Sequence, residues 1–137
     1  MEHVSYNETL YKSKSIGTVA KAYLKKLPPE VNTLVSRGYS GCSIAAAMLA
    51  LSKKPLTHIA IKKAKERTHS DVAGLYFHGR TVGAIVDDFV SSGATVRAIL
   101  RWDKKHRDII KYIVVGWKSV HYYTSFDIPV IEVEKRK

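Results

Sequence analysis

The stretch Val82-Gly83-Ala84-Ile85-Val86-Asp87-Asp88-Phe89-Val90-Ser91-Ser92-Gly93-Ala94-Thr95 gathers the residue types best suited to chemistry in this chain. Its apolar start predicts a buried strand over Thr81–Val86, which delivers two adjacent carboxylates. A turn over Asp87–Thr95, rich in small hydroxyl residues and glycine, then opens into a helix predicted over Thr95–Trp102. Such a turn offers backbone N–H groups, Ser and Thr hydroxyls and a helix N-terminus, all suited to a phosphate dianion. Asp87 and Asp88 do not share that role, because like charges repel. They suit sugar hydroxyls lying beside the phosphate, or a metal. A ligand with a phosphate and vicinal hydroxyls is a ribose phosphate. The bland alternative is an α/β strand that ends in Asp-Asp by coincidence, but several elements would then have to fall in this order by chance.

Two other segments carry polar chemistry. Arg37-Gly38-Tyr39-Ser40-Gly41 separates an apolar run from an alanine-rich one; taken alone it is an ordinary strand-to-helix turn. Lys62, Lys63, Lys65, Arg67 and His69 bunch cations on a stretch without periodicity, which reads either as a solvated basic loop or as an anion-binding one. The whole chain carries 23 Lys and Arg against 12 Asp and Glu, a formal net charge of +11. That field attracts polyanions, and composition does not separate nucleic acid from a small phosphorylated ligand. The tail Lys135-Arg136-Lys137 reads as a solubilising end. The six histidines (His3, His58, His69, His78, His106 and His121) lack paired metal-ligand spacing and read mostly as surface residues, with His69 the one to test. Cys42 reads as a small residue in a helix opening rather than a nucleophile. As the single cysteine it has no internal disulfide partner, which fits a reducing, cytoplasmic compartment.

These residues need a scaffold, and 137 residues suffice for one domain with a real core. No apolar run is long enough to span a bilayer, and Met1–Tyr6 lacks the order of a secretory signal. Ile16, Val19, Ala20, Tyr23, Leu24 and Leu27 form one face of a helix predicted over Ser15–Leu27, stopped by Pro28-Pro29. A strand is predicted over Val31–Ser36, a helix over Ser43–Leu51 and a strand over Thr57–Ile61. Lys63–Arg80 reads as a long loop or ribbon, of the kind that is often functional. Two more strands are predicted over Ile109–Val115 and Ile128–Val133. Strands and helices alternate, so the class is α/β: a single doubly wound domain, residues 1–137, with a mainly parallel sheet of about five strands. Its crossovers should be right-handed and its ligands should lie at the carboxyl ends of the strands.

The sequence Val82–Thr95 resembles the phosphoribosyl pyrophosphate signature of the type I phosphoribosyltransferases: apolar strand, two acids, two variable residues, a small pair, Gly, any residue, Thr. The resemblance implies that Asp87 and Asp88 bind the ribose hydroxyls, and that Ser91, Ser92, Gly93, Ala94 and Thr95 wrap the 5′-phosphate. It also implies that Arg37, Gly38, Tyr39, Ser40 and Gly41 form the pyrophosphate loop. The basic segment becomes a mobile loop closing on the pyrophosphate, with Lys63, Lys65 and His69 as catalytic candidates beside the two aspartates. Magnesium (Mg2+) is implied as cofactor, held mainly by the ligand with Asp87 and Asp88 as protein donors.

The reaction implied is that of an enzyme, a pentosyltransferase of nucleotide metabolism. It transfers ribose 5-phosphate from phosphoribosyl pyrophosphate to a nitrogenous base, giving a nucleoside 5′-monophosphate and pyrophosphate. In relatives using 6-oxopurines an aspartate stands where this chain has Ser91, so such bases are disfavoured. The basic loop is loosely similar to that of orotate phosphoribosyltransferases, with different spacing. Trp117, Lys118, Tyr122, Tyr123 and Phe126 lie where the family builds a small hood over the base, with Trp117, Lys118 and Tyr123 the base-binding candidates. Partners are then the two small substrates; the resemblance admits a homodimer, and no membrane is involved. The competing reading is a non-catalytic regulator of the same fold that senses phosphoribosyl pyrophosphate or nucleotide and binds nucleic acid, which the +11 charge favours. A phosphohydrolase or receiver-like domain lacks supporting residues.

Overall fold

The computed structural model describes residues 13–62, 72–73, 80–90, 93–118 and 126–133. Helix α1 spans Ser13–Lys26, and its apolar stripe buries Ala20 and Tyr23. Pro28-Pro29 stop it, and strand β1 follows at Thr33–Arg37, buried on both faces except at Arg37. Helix α2, Tyr39–Leu51, starts four residues earlier than Ser43, because Gly38 at φ 88° turns the chain directly into it. Strand β2, Thr57–Ile61, matches the sequence reading. Strand β3, Val72–Ala73, lies inside the segment read as a loop or ribbon.

Strand β4 runs Gly83–Val90, four residues beyond Val86, so Asp87 and Asp88 sit within the strand rather than in the turn after it. The cause is its neighbour β5, Ile110–Lys118, whose pairing continues through Asp87↔Val115 and Phe89↔Trp117 to Val90↔Lys118. Helix α3, Ala94–His106, runs four residues past Trp102, and strand β6 is Val130–Glu132. Between α3 and β5 the Asp103 carboxylate accepts from the N–H groups of Ile109 and Ile110, both at 3.0 Å. Asp108 takes a left-handed conformation there (φ 57°), with its N–H on the Asp103 carbonyl at 2.6 Å.

The sheet order is β3-β2-β1-β4-β5-β6, with β2, β1, β4, β5 and β6 parallel and β3 antiparallel at the edge. On one face α1, Leu27 just after it, and α2 cover Leu34, Ala84, Val86 and Val114 with Tyr23, Leu27, Ile44 and Met48. On the other, Val96 and Ile99 of α3 cover Val35, Ile59, Ile85 and Ile113. Neighbouring residues of a strand thus serve opposite layers, as the pleat requires. At the amino end Asn32 locks the register, its side chain donating to the Arg80 carbonyl (2.9 Å) and accepting from the Val82 N–H (3.0 Å). Among the described residues no helix is long and apolar enough to cross a membrane.

Candidate functional site

The chain builds β1 and then β2 outward on one side, and places β4 on the opposite side of β1. The strand order therefore reverses between β1 and β4, the place where open α/β sheets leave a crevice at their carboxyl ends. Direct pairing of the two strands is recorded from Thr33↔Gly83 to Val35↔Ile85. Past Ile85 the β1 chain turns through Gly38 into α2, while β4 runs on with β5 alone.

Two helix starts flank this crevice. The N-caps of α2 and α3 are both glycines with positive φ, Gly38 at 88° and Gly93 at 79°. Neither cap has a side-chain hydrogen bond to its helix, and neither first turn contains an acidic residue. Both ends thus present the positive pole of the helix to the carboxyl edge of the sheet. Gly41 brings α2 directly onto β4: a Cβ there would stand 2.8 Å from the Val86 carbonyl oxygen and 3.4 Å from Asp87 Oδ1. Asp87 is 7% exposed, and its Oδ1 accepts from the Asp88 N–H at 2.9 Å; Asp88 and Arg37 are half-buried. Tyr39 projects from the α2 start, 74% exposed. Thr95 is half-buried in the first turn of α3, beside exposed Ala94.

The structure thus gathers Arg37, Gly38, Tyr39, Ser40 and Gly41 with Asp87, Asp88, Gly93, Ala94 and Thr95 at one edge of the sheet. Trp117 and Lys118 end β5 at the same edge, alongside Phe89 and Val90; they are the last residues of the strand, not of a segment after it. Lys63, Lys65, His69, Ser91, Ser92, Tyr122 and Tyr123 lie outside the described residues, while Phe126 packs half-buried against the α3 layer. The geometry suits a ligand with two anionic ends, one at each helix start, and hydroxyls near the aspartates.

The chain is similar in structure to the orotate phosphoribosyltransferase of Mycobacterium tuberculosis in complex with 5-phospho-alpha-D-ribosyl 1-diphosphate (TM-score 0.74, 8% identity, 93% of this chain and 76% of that one). It is likewise similar to an orotate phosphoribosyltransferase of Francisella tularensis (TM-score 0.64, 19% identity, 91% and 68%). A third likeness is to the adenine phosphoribosyltransferase of Thermoanaerobacter pseudethanolicus (TM-score 0.68, 14% identity, 93% and 84%). The fold is that of the type I phosphoribosyltransferases. No protein-family model matches the sequence, and no curated protein does.

Within this phosphoribosyltransferase fold, two features escape a sequence reading. Tyr23, on the apolar stripe of α1, donates its hydroxyl to the Asp87 carbonyl oxygen at 2.6 Å in a buried bond. It holds the β4 backbone at the point where β1 has turned away. The second is a chain of small polar groups under the Gly38 turn: Ser36 Oγ donates to Cys42 Sγ (3.1 Å) and lies 2.5 Å from His58 Nε2. With the serine proton directed to sulfur, the Nε2–H tautomer of His58 completes the chain. His58 is therefore half-buried rather than a free surface residue; its partial burial lowers its pKa below the usual histidine value and favours the neutral ring. Neither feature leaves a local sequence signal, since each pairs residues from separate elements.

Proposed function

We propose that this chain is a phosphoribosyltransferase that binds phoshoribosyl pyrophosphate across the β1–β4 crevice and transfers ribose 5-phosphate to a nitrogenous base. The observation that carries the reading is the meeting of two glycine-capped helix starts with the Asp87–Asp88 pair at the strand-order reversal. The 5′-phosphate belongs at the α3 start, Gly93–Thr95, together with Ser91 and Ser92. The ribose hydroxyls belong on Asp87 and Asp88, and the pyrophosphate on Arg37–Gly41.

In the reaction a ring nitrogen of the base forms a bond to the anomeric carbon as the bond to pyrophosphate breaks. The pyrophosphate departs with the electron pair, and the proton of the base nitrogen leaves with a general base or water. Positive charge builds on the sugar, negative charge on the leaving group. Arg37 and the α2 start meet the second of these, and Lys63, Lys65 and His69 add cations from the basic loop. Trp117, Lys118 and Tyr123 are the candidates beside the base.

Among the described residues no group of three His, Cys, Asp or Glu could hold a metal on its own. The adjacent carboxylates of Asp87 and Asp88 fit a magnesium ion held largely by the oxygens of the ligand. Such an ion would neutralise charge on the departing pyrophosphate.

The test is a product assay with phosphoribosyl pyrophosphate, magnesium and a panel of pyrimidine and purine bases, read as pyrophosphate release and nucleotide formation. The Asp87→Asn, Asp88→Asn double variant should stay folded and bind the donor at least tenfold more weakly, since hydrogen bonds to charged groups are worth about 1.5–3 kcal/mol each. Unchanged affinity by calorimetry in the folded variant removes these residues from the site. Donor binding without turnover on any base favours the regulator over the enzyme.

A further inference from the structure

Far from the crevice, at the amino ends of the parallel strands, the topology collects cations from both helical layers. The α1–α2 layer brings Lys25 and Lys26 from the end of α1, and Lys53 and Lys54 from the turn after α2; all four are exposed. The α3 layer brings exposed Lys104, Lys105 and Arg107, and exposed Arg80 leads into β4 between the layers. Of the four described acids at this end two are engaged, and exposed Asp108 and Asp127 lie beside the α3 cations. The Asp103 carboxylate is buried on two backbone N–H groups, and Glu30 accepts the Tyr112 hydroxyl. That bond, with Lys54 nearby, holds the Glu30 carboxyl below its usual pKa, so it stays ionised and bound.

Lysines at helix ends complement the helix dipole, and by themselves they would need no ligand. What the dipole does not explain is the groove between α1 and the end of α2, about 840 Å3 in volume. Its floor is aliphatic, with Ala22, Leu24, Leu27 and Leu51, and Leu51 is 41% exposed. Its rim carries Lys21, Lys25, Lys53 and Lys54, and among the described residues no carboxylate lines it. Lys54 is held in place by its bond to the Pro29 carbonyl at 2.7 Å.

The geometry points to a binding surface for single-stranded nucleic acid on the amino-end face, with phosphates on the lysine rim and bases on the aliphatic floor. Three occupants compete for such a groove. A second copy of this chain would set lysines against lysines. An acidic amphipathic helix could fill the groove, but would leave Arg80, Lys104 and Lys105 without a role. A single strand offers a phosphate at every nucleotide and apolar base faces that a duplex hides, so it uses both the groove and the cations beyond it. This inference is independent of the crevice: the strand would sit at the opposite end of the sheet and leave the phosphate sites open.

The experiment is fluorescence anisotropy of the full chain with a labelled 20-nucleotide single strand, over a salt series. Parallel arms use the matching duplex, an acidic amphipathic peptide and competition by millimolar ribose 5-phosphate. The expected result is binding to the single strand that weakens steeply with salt and is not displaced by ribose 5-phosphate. The Lys21→Gln, Lys25→Gln, Lys53→Gln, Lys54→Gln variant changes exposed side chains and should keep the parental circular dichroism. It should bind at least tenfold more weakly, with the log–log salt slope shallower by up to about 3, as four lost phosphate contacts imply. A variant that unfolds is replaced by the pair Lys53→Gln, Lys54→Gln, with a slope change of up to about half that size. No binding at 100 mM salt, affinity unchanged in the folded variants, or displacement by ribose 5-phosphate each overturns the proposal. So does tighter binding of the acidic peptide or the duplex.

Discussion

Replacing Gly41 with alanine adds one methyl at the point where α2 touches β4. The new Cβ would stand 2.8 Å from the Val86 carbonyl oxygen, 3.4 Å from Asp87 Oδ1 and 3.6 Å from Asp87 Cα. The first neighbour is backbone in the middle of the sheet, so the first turn of α2 must move by a few tenths of an ångström. Two energies then oppose each other. Alanine is favoured over glycine in a helix by about 1 kcal/mol. Overpacking a tight contact costs about 1–3 kcal/mol. The net is between neutral and about 2 kcal/mol destabilising. Gly17, inside α1, supplies the reference, since a Cβ there meets nothing within 4 Å. Gly17→Ala should keep the whole propensity gain of about 0.5–1 kcal/mol and melt a few degrees higher. Gly41→Ala should melt below Gly17→Ala, because its gain is offset by the clash. It should also bind phosphoribosyl pyrophosphate with magnesium at least tenfold more weakly by calorimetry, because the shifted turn re-aims the α2 start. If Gly41→Ala melts as high as Gly17→Ala and binds with parental affinity, the close contact of α2 on β4 is wrong, and so is the site built on it.

Tyr23→Phe removes the buried bond to the Asp87 carbonyl and should cost about 1–3 kcal/mol in chemical denaturation. It should also weaken donor binding, which simple loss of core packing would not do. Asp103→Ala strips the acceptors from the Ile109 and Ile110 N–H groups and should cost about 2–4 kcal/mol, more than Asp103→Asn, which keeps one acceptor oxygen. His58 has a folded-state pKa below its unfolded value, so the unfolded chain binds the extra proton first. Its contribution should be complete above the unfolded pKa of about 6.5 and fall as pH drops from there through the folded value. A His58→Gln variant should lose that part of the slope in denaturation measured from pH 8 to 5, and an unchanged slope would refute the assignment.

Asp87, Asp88, Gly93 and Thr95 were legible from residue order alone, because an apolar strand, an acid pair and a glycine turn into a helix are local features read along the chain. The apolar stripe of α1 and the limits of β2 were legible for the same reason: periodicity and flanking prolines act within a few residues. The sheet order was not, since any of several orders is consistent with alternating strands and helices, and it is the adjacency of β1 and β4 that brings Gly38 and Gly93 to one crevice. The extension of β4 through Asp88 came from its pairing with β5, a contact between segments some 25–30 residues apart in the register, which no window on β4 contains. Tyr23 looked like a core residue because its hydroxyl finds its acceptor 64 residues away. His58 was read with the surface histidines because its partial burial is a property of the packed layers, not of the residues beside it. The same division holds for charge. Composition fixes the total at +11, while the amino-end lysines are drawn together only because parallel strands oblige every helix to finish at that end of the sheet.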